Sequence, residues 1–171
     1  MKMSTTQEFV LRYWLEACPN DGRTFPARAD IKVTDLRNRM SHIGVVEVEQ
    51  NPLDFRYRLI GTWLRGFLYE DYTGRSLREL EGKGPGSGLW SILENVYHDR
   101  DPLYCAVPYV GPKADYKQAS TLYLPLADDH ETMNKIMLVS NFELIEGTAF
   151  PSEHDPMASR FVPPEWRDRN A

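Results

Sequence analysis

Cysteine is nearly missing from this chain, with Cys18 and Cys105 the two in 171 residues, far apart and outside any CxxC or zinc-finger spacing. That excludes a disulfide framework and a thiolate metal site, and leaves reduced, buried thiols as the expectation. Long apolar runs are missing too. No stretch approaches the roughly 20 apolar residues of a membrane helix, and the opening MKMSTTQEF lacks the apolar core of a signal peptide. A cytoplasmic protein with no membrane partner is expected. Basic charge is in deficit, because 20 Lys and Arg stand against 25 Asp and Glu for a net charge of −5. The basic residues are interleaved with acidic ones, which argues against a nucleic-acid partner. The local group Arg23, Arg28, Arg37 and Arg39 reads as a solvated face. No GxSxG, HExxH or paired-carboxylate pattern occurs, so the sequence carries no signature of hydrolytic or metal-assisted catalysis.

What remains is a composition of 42% hydrophobic and 26% charged residues, enough to bury one ordinary core without disulfides or metals. The most informative stretch runs from Asp54 to Leu80, where the hydrophobic period changes from two to helical at Gly61. Phe55, Tyr57 and Leu59 alternate with Arg56 and Arg58, which predicts a half-buried strand with the arginines toward solvent. Gly61 then permits a sharp turn that a side chain would hinder, and Trp63, Leu64, Phe67 and Leu68 follow at helical spacing. Tyr72-Thr73-Gly74-Arg75-Ser76 ends that segment before a short helical run from Leu77 to Leu80.

Upstream, Thr5 and Glu8 have capping-box spacing for a helix carrying Phe9, Val10, Tyr13, Trp14 and Ala17, stopped by Pro19 and Asn20-Asp21-Gly22. Gln7, Glu8, Arg12 and Glu16 form its polar stripe, so narrow that the helix must be covered on two sides. A short helix over Thr34 to Met40 and a first strand over Ile43 to Glu49 follow, joined to the second strand through Asn51-Pro52-Leu53-Asp54. Gly82 to Gly88 reads as a flexible linker, because GKGPGSG lacks the P-loop order and Pro85 removes an amide donor. The helix beginning near Ser87 carries the apolar stripe Leu89, Trp90, Leu93, Val96 and Tyr97, with His98 on its polar side. Three strands complete the pattern, at Leu103 to Val110, Ser120 to Leu126 and Lys135 to Leu144. Asp128-Asp129-His130-Glu131 between the last two reads as a solvated turn, since consecutive hairpin residues rarely converge on one ion. From Gly147 onward prolines and mixed charge dominate, although Phe161, Val162 and Trp166 are too apolar for pure solvent filler.

FRYRLIGT followed by TGR and a short amphipathic helix, together with Tyr13-Trp14, Gly22-Arg23, Pro26 to Ile31, Asp35-Leu36 and His42-Ile43-Gly44, resembles the PAS domain, in particular a bacterial PAS-like family. The order ββααβββ agrees, and the expected fold is α+β, a five-stranded antiparallel sheet with helices on one face and an N-terminal helix. The expected division is an N-terminal helical extension over 1–25, a PAS-like domain over 26–146 and a proline-rich tail over 147–171.

The resemblance implies a sensory or regulatory module that binds a small molecule or a protein partner and signals in trans, a small molecule lying between sheet and long helix. The pocket candidates are Tyr57, Leu59, Trp90, Leu93 and Tyr97. Phe9, Val10, Tyr13 and Trp14 would form a homodimer and relay helix, since N-terminal helices of PAS domains often pair. Haem-binding PAS proteins supply an axial histidine from the helix corresponding to Leu89 to Tyr97. Here His98 falls on the polar side, so haem is disfavoured and no cofactor is assigned. Two other readings stay open: a ligand-free protein-interaction module, and a small enzyme using Tyr104, Cys105, His42 or His98 in the same cavity.

Overall fold

The computed structural model describes residues 2–19, 24–144, 162 and 164–169. The Asn20-Asp21-Gly22 stop, Arg23 and most of the proline-rich tail, including Phe161, lie outside them. Five antiparallel strands are β1 (Ile43–Glu49), β2 (Asp54–Ile60), β3 (Leu103–Pro108), β4 (Gln118–Leu126) and β5 (Lys135–Glu143). Their order across the sheet is β2-β1-β5-β4-β3. The N-terminal helix α1 spans Thr5–Ala17, α2 spans Val33–Leu36, α3 spans Thr62–Arg65, α4 spans Gly88–Asp99 and α5 spans Pro164–Arg169. The expected Thr34 to Met40 helix divides at Leu36. Arg37 takes a positive φ of 48°, and a 3-10 segment, Arg37–His42, follows.

The cap of α1 lies one residue earlier than the Thr5 and Glu8 spacing suggests. Ser4 is extended, its hydroxyl accepts from the Gln7 amide, and the Gln7 side chain accepts from the Ser4 amide, closing a reciprocal box. That shift explains why Gln7 belongs to the core and not to the polar stripe. It is fully buried, and its amide nitrogen donates to the carbonyls of Ser120 and Val139, each at 3.0 Å. Replacing Gln7 with leucine keeps the volume and the Ser4 cap but removes the reciprocal side-chain bond of the box and both sheet contacts. A loss of about 1–3 kcal/mol is expected in urea denaturation; an unchanged midpoint would show that α1 is not held by these bonds.

One face of the sheet is covered by α1, the other by α3 and α4. Leu122, Leu124, Met137, Val139, Ile43 and Val45 share the α1 face by register, whereas Thr121, Tyr123, Leu138, Ser140, Gly44 and Val46 share the opposite one. On the α1 face Trp14 is fully buried, and its indole N–H donates to the Pro125 carbonyl at 2.8 Å. Trp166 of α5 packs beside it with ring centroids 5.0 Å apart, stacks on Phe25 at 5.6 Å, and donates to Asp101 Oδ1 at 2.7 Å. Trp166 is therefore a core residue. Its position so far from the sheet in sequence gave no pattern by which to place it.

The alternation Phe55, Tyr57, Leu59 is broken inside β2. Val48 pairs with Phe55 and Val46 with Tyr57, but Val45 pairs with Leu59, so Arg58 is the extra residue of a bulge. A bulge transfers every later side chain to the other face. Leu59 consequently joins the α1 face with Val45, and Ile60, paired with Gly44, takes the inner face. Arg58 remains exposed and pairs with Glu47 at 2.9 Å, while Arg56 is half-buried against Glu49 at 2.6 Å.

Candidate functional site

Between the inner face of the sheet and the helices lies a cavity of about 460 Å³. This is the size of a small-ligand site. Its floor is formed by Gly44, Leu138, Ser140 and Phe142 with Thr121 and Tyr123 of the neighbouring strand. The roof comes from Leu64 of α3, the following Phe67 and Leu68, and Leu89 and Ile92 of α4. Val107 and Tyr109 close the side, and Val110, 82% exposed, marks the mouth.

The floor is open because two glycine-sized or small residues, Gly44 and Ala119, sit where larger side chains would meet the helices. A Cβ on Gly44 would already stand 3.3 Å from Leu64 Cδ2. An aromatic cluster ends the cavity at Phe67, which stacks on Phe142 with centroids 4.0 Å apart and meets Trp63 at 4.7 Å and Tyr116 at 4.8 Å. The Tyr109 hydroxyl ties this cluster by donating to the Phe67 carbonyl at 2.9 Å.

Few polar groups reach the interior. Thr121 and Ser140 hydroxyls face each other at 3.0 Å on the floor. Tyr57 and Tyr123 line the same space, and burial pushes both phenols well above their ordinary value, so they stay protonated donors at neutral pH. Lys83 is the one cation lining the cavity among the described residues, and no carboxylate lines it. The Gly82 to Gly88 segment that supplies it is not an open linker. Gly82 and Gly86 take φ of +72° and +88°, and Ser87 caps α4 by accepting from the Trp90 amide, which folds the segment into successive turns.

Of the five pocket candidates, Tyr57 lines this cavity. Trp90 and Leu93 are buried elsewhere in the core, Trp90 edge-on to Phe55 at 5.0 Å with the Arg78 guanidinium 5.0 Å from its ring centroid. Tyr97 is half-buried, and its hydroxyl accepts from Gln50 Nε2 at 2.7 Å beyond the end of β1. Leu59 has crossed the sheet. The α4 residues that do face the cavity, Leu89 and Ile92, are separated by one turn, and Ile92 was legible only as an apolar position off the main stripe. Along the relay helix, Val10 and Trp14 are buried, and Phe9 stays 37% exposed under the Arg39 guanidinium, 3.8 Å from the ring centroid. The Tyr13 hydroxyl donates to Asp35 Oδ2 at 2.9 Å and accepts from the Lys32 amide, tying α1 to α2.

The four residues considered for catalysis are not gathered. Cys105 is buried, and desolvation pushes its thiol up to about 12, the reverse of an activated nucleophile. Its β3 neighbour Tyr104 points to the α1 face and donates to the Lys2 carbonyl. His42 packs on Trp63 with centroids 3.9 Å apart, and desolvation lowers its pKa; His98 is exposed on α4. In the acidic turn, Asp128 holds Lys135 and Asn134, Asp129 caps the amides of Glu131 and Thr132, and His130 pairs with Asp30 at 2.7 Å. These side chains turn to separate partners, and no metal-holding group occurs among the described residues.

An antiparallel five-stranded sheet that carries a terminal helix on one face and borders a cavity with short helices on the other is an α+β architecture. A family model described as PAS domain matches residues 1–139, and the chain belongs to that family. Such domains are typically non-enzymatic. No curated protein matches the chain, and no solved structure does. No described helix is long and apolar enough to cross a membrane.

Proposed function

We propose that this PAS domain senses a small molecule held in the cavity between sheet and helices, and passes the bound state to a partner in trans. The observation that carries this reading is the cavity itself, about 460 Å³ with mainly apolar walls and a few convergent polar groups. The apolar lining and the exposed mouth at Val110 suit a small molecule entering from solvent.

The sheet offers a route from ligand to surface. Thr121 and Ser140 stand on the cavity floor, and the adjoining carbonyls of Ser120 and Val139 receive the Gln7 amide from the other side. A ligand that prefers one spacing of β4 and β5 therefore biases the seating of α1, a population shift in a two-state contact. The exposed edge of α1 at Phe9 is the surface through which a second copy of the chain or a protein partner would read that change.

Ala119→Trp tests the reading by filling the cavity from the floor. The variant is expected to fold and to lose the stabilisation that binding compounds give the unmodified chain. Retained ligand-induced shifts in melting temperature would place binding elsewhere. Sedimentation velocity of loaded and unloaded protein checks the relay, and an identical sedimentation coefficient in both would remove it.

A further inference from the structure

The cavity has a chemical polarity that its volume alone does not express. Its walls are apolar on nearly every side, yet one lysine, Lys83, stands in the lining without a carboxylate partner among the described residues. The groups around it do not neutralise it. Its Nζ lies 5.5 Å from the ring centroid of Tyr72, which itself stacks on Tyr57 at 6.1 Å. An aromatic face is a weak substitute for an anion.

Other lysines of this chain show what a satisfied one looks like. Lys135 is paired to Asp128, and the Lys117 ammonium donates to the Ala114 carbonyl at 2.7 Å. Lys83 is instead carried into the cavity wall by the tight turns of Gly82 and Gly86, whose positive φ values cost an ordinary residue stability.

We propose that the sensed molecule is a small organic acid, its single carboxylate held by Lys83 and its apolar body lying between Leu89 and Ile92 of α4 and Leu138 and Phe142 of β5. The inference rests on the sensing role proposed above and narrows it to a ligand class. Charge count in the lining selects a monoanion. Lys113 lies outside the lining, over the Phe67 ring at 4.1 Å, so a nucleotide or other polyanion would face one lining cation where several are needed. A cationic ligand would face like charge with no lining carboxylate to receive it. The Tyr57 hydroxyl, held protonated by burial, adds a donor suited to an acceptor ligand, while the hydroxyls of Thr121, Ser140 and Tyr123 are engaged with one another. Desolvation also lowers the Lys83 pKa, a burden on its charged form that an arriving carboxylate would offset.

The test uses the full chain with four probes, octanoate and phenylpropionate and the uncharged primary amide of each, read by calorimetry and by melting temperature. At least one acid is expected to bind about tenfold more tightly than its amide, the worth of one charge-assisted contact. Octanoate alone would mark a linear aliphatic body and phenylpropionate alone an aromatic one. Lys83→Met is expected to abolish the preference and Lys83→Arg to keep it. Ligand-free Lys83→Met should melt no lower than the unmodified chain, because it loses an unpaired, partly desolvated charge. Equal binding of acid and amide, or a preference that survives Lys83→Met, overturns the assignment while leaving a sensing cavity in place. Binding of none of the four probes overturns the organic-acid assignment, and unimpaired binding in Ala119→Trp overturns the cavity reading beneath it.

Discussion

Trp14→Ala is expected to destabilise the domain by about 3–5 kcal/mol, the range for emptying a large aromatic site in a closed core. The indole is fully buried where α1 crosses the sheet, its N–H donates to the Pro125 carbonyl at 2.8 Å, and its ring faces Trp166 at 5.0 Å. Truncation therefore removes the largest apolar contact of the helix and leaves a buried carbonyl without its donor. It also takes away one wall of the site occupied by Trp166. For a domain of this size the melting temperature should fall by roughly 6–20 °C, at about 2–4 °C per kcal/mol. Trp14→Phe separates the two contributions, since it keeps most of the buried area and loses the hydrogen bond; a loss of about 1–2 kcal/mol is expected there. A Trp14→Ala loss below about 1 kcal/mol in urea denaturation would mean that α1 is not docked on the sheet. The proposed route from cavity to surface would go with it.

Gly61→Ala should be of similar severity, for a reason unrelated to backbone dihedrals. Gly61 has φ of −61° and ψ of 150°, which any residue adopts. Its constraint is space. A Cβ there would run into the carbonyl oxygens of Met40 and Ser41, while the Gly61 amide is held to the Ile43 carbonyl at 2.8 Å. Backbone cannot rotate away as a flexible side chain can, so the 3-10 segment carrying His42 must shift off its contact with Trp63. We expect a loss of at least about 3 kcal/mol, the upper end for overpacking. Gly74→Ala supplies the contrast. At φ of +83° with no atom near the added Cβ, it should cost only the left-handed penalty of about 1–2 kcal/mol. Equal losses at the two glycines, measured by chemical denaturation, would refute the steric account of Gly61.

Gly61 also illustrates how a sequence reading can find the right residue for an incomplete reason. The change of hydrophobic period there marks the end of β2 and the start of α3, but α3 spans only Thr62–Arg65 and leaves Phe67 and Leu68 beyond the helix. The need for glycine comes from Met40 and Ser41, two residues that no local pattern connects to it. The pocket candidates divide in the same way. Alternation correctly put Tyr57 on the inner face, yet a single extra residue, Arg58, sent Leu59 across the sheet and brought Ile60 to the cavity. On α4 the strongest apolar stripe, Trp90 with Leu93, became solid core against β2, and the cavity took the adjoining line of Leu89 and Ile92. Periodicity identifies which side chains are buried; it does not distinguish those that touch protein from those that border a space.

Lys83 and Gln7 lay beyond sequence reasoning for a related reason. Each is polar, and polar residues in a glycine-rich stretch or on a helix flank are ordinarily solvated. Gln7 enters the core because two sheet carbonyls from distant strands accept its amide, and Lys83 because two left-handed glycines fold its loop against the cavity. Neither partner set is encoded within a turn or two of the residue itself.

The amino-acid sequence by itself determined the α+β class, the ββααβββ order, the five strands and the family resemblance, because these follow from periods of two and 3.6 residues and from turn residues acting over short spans. Only the tertiary structure decided the bulge at Arg58, the burial of Gln7 and Trp166, and the placement of a lone lysine in an apolar wall. Those features depend on contacts between residues far apart in the chain, such as Gln7 with Val139, 132 positions away, and Trp14 with Trp166. They arise when sheet, helices and terminal segment close on one another, and local chemistry carries no record of that closure.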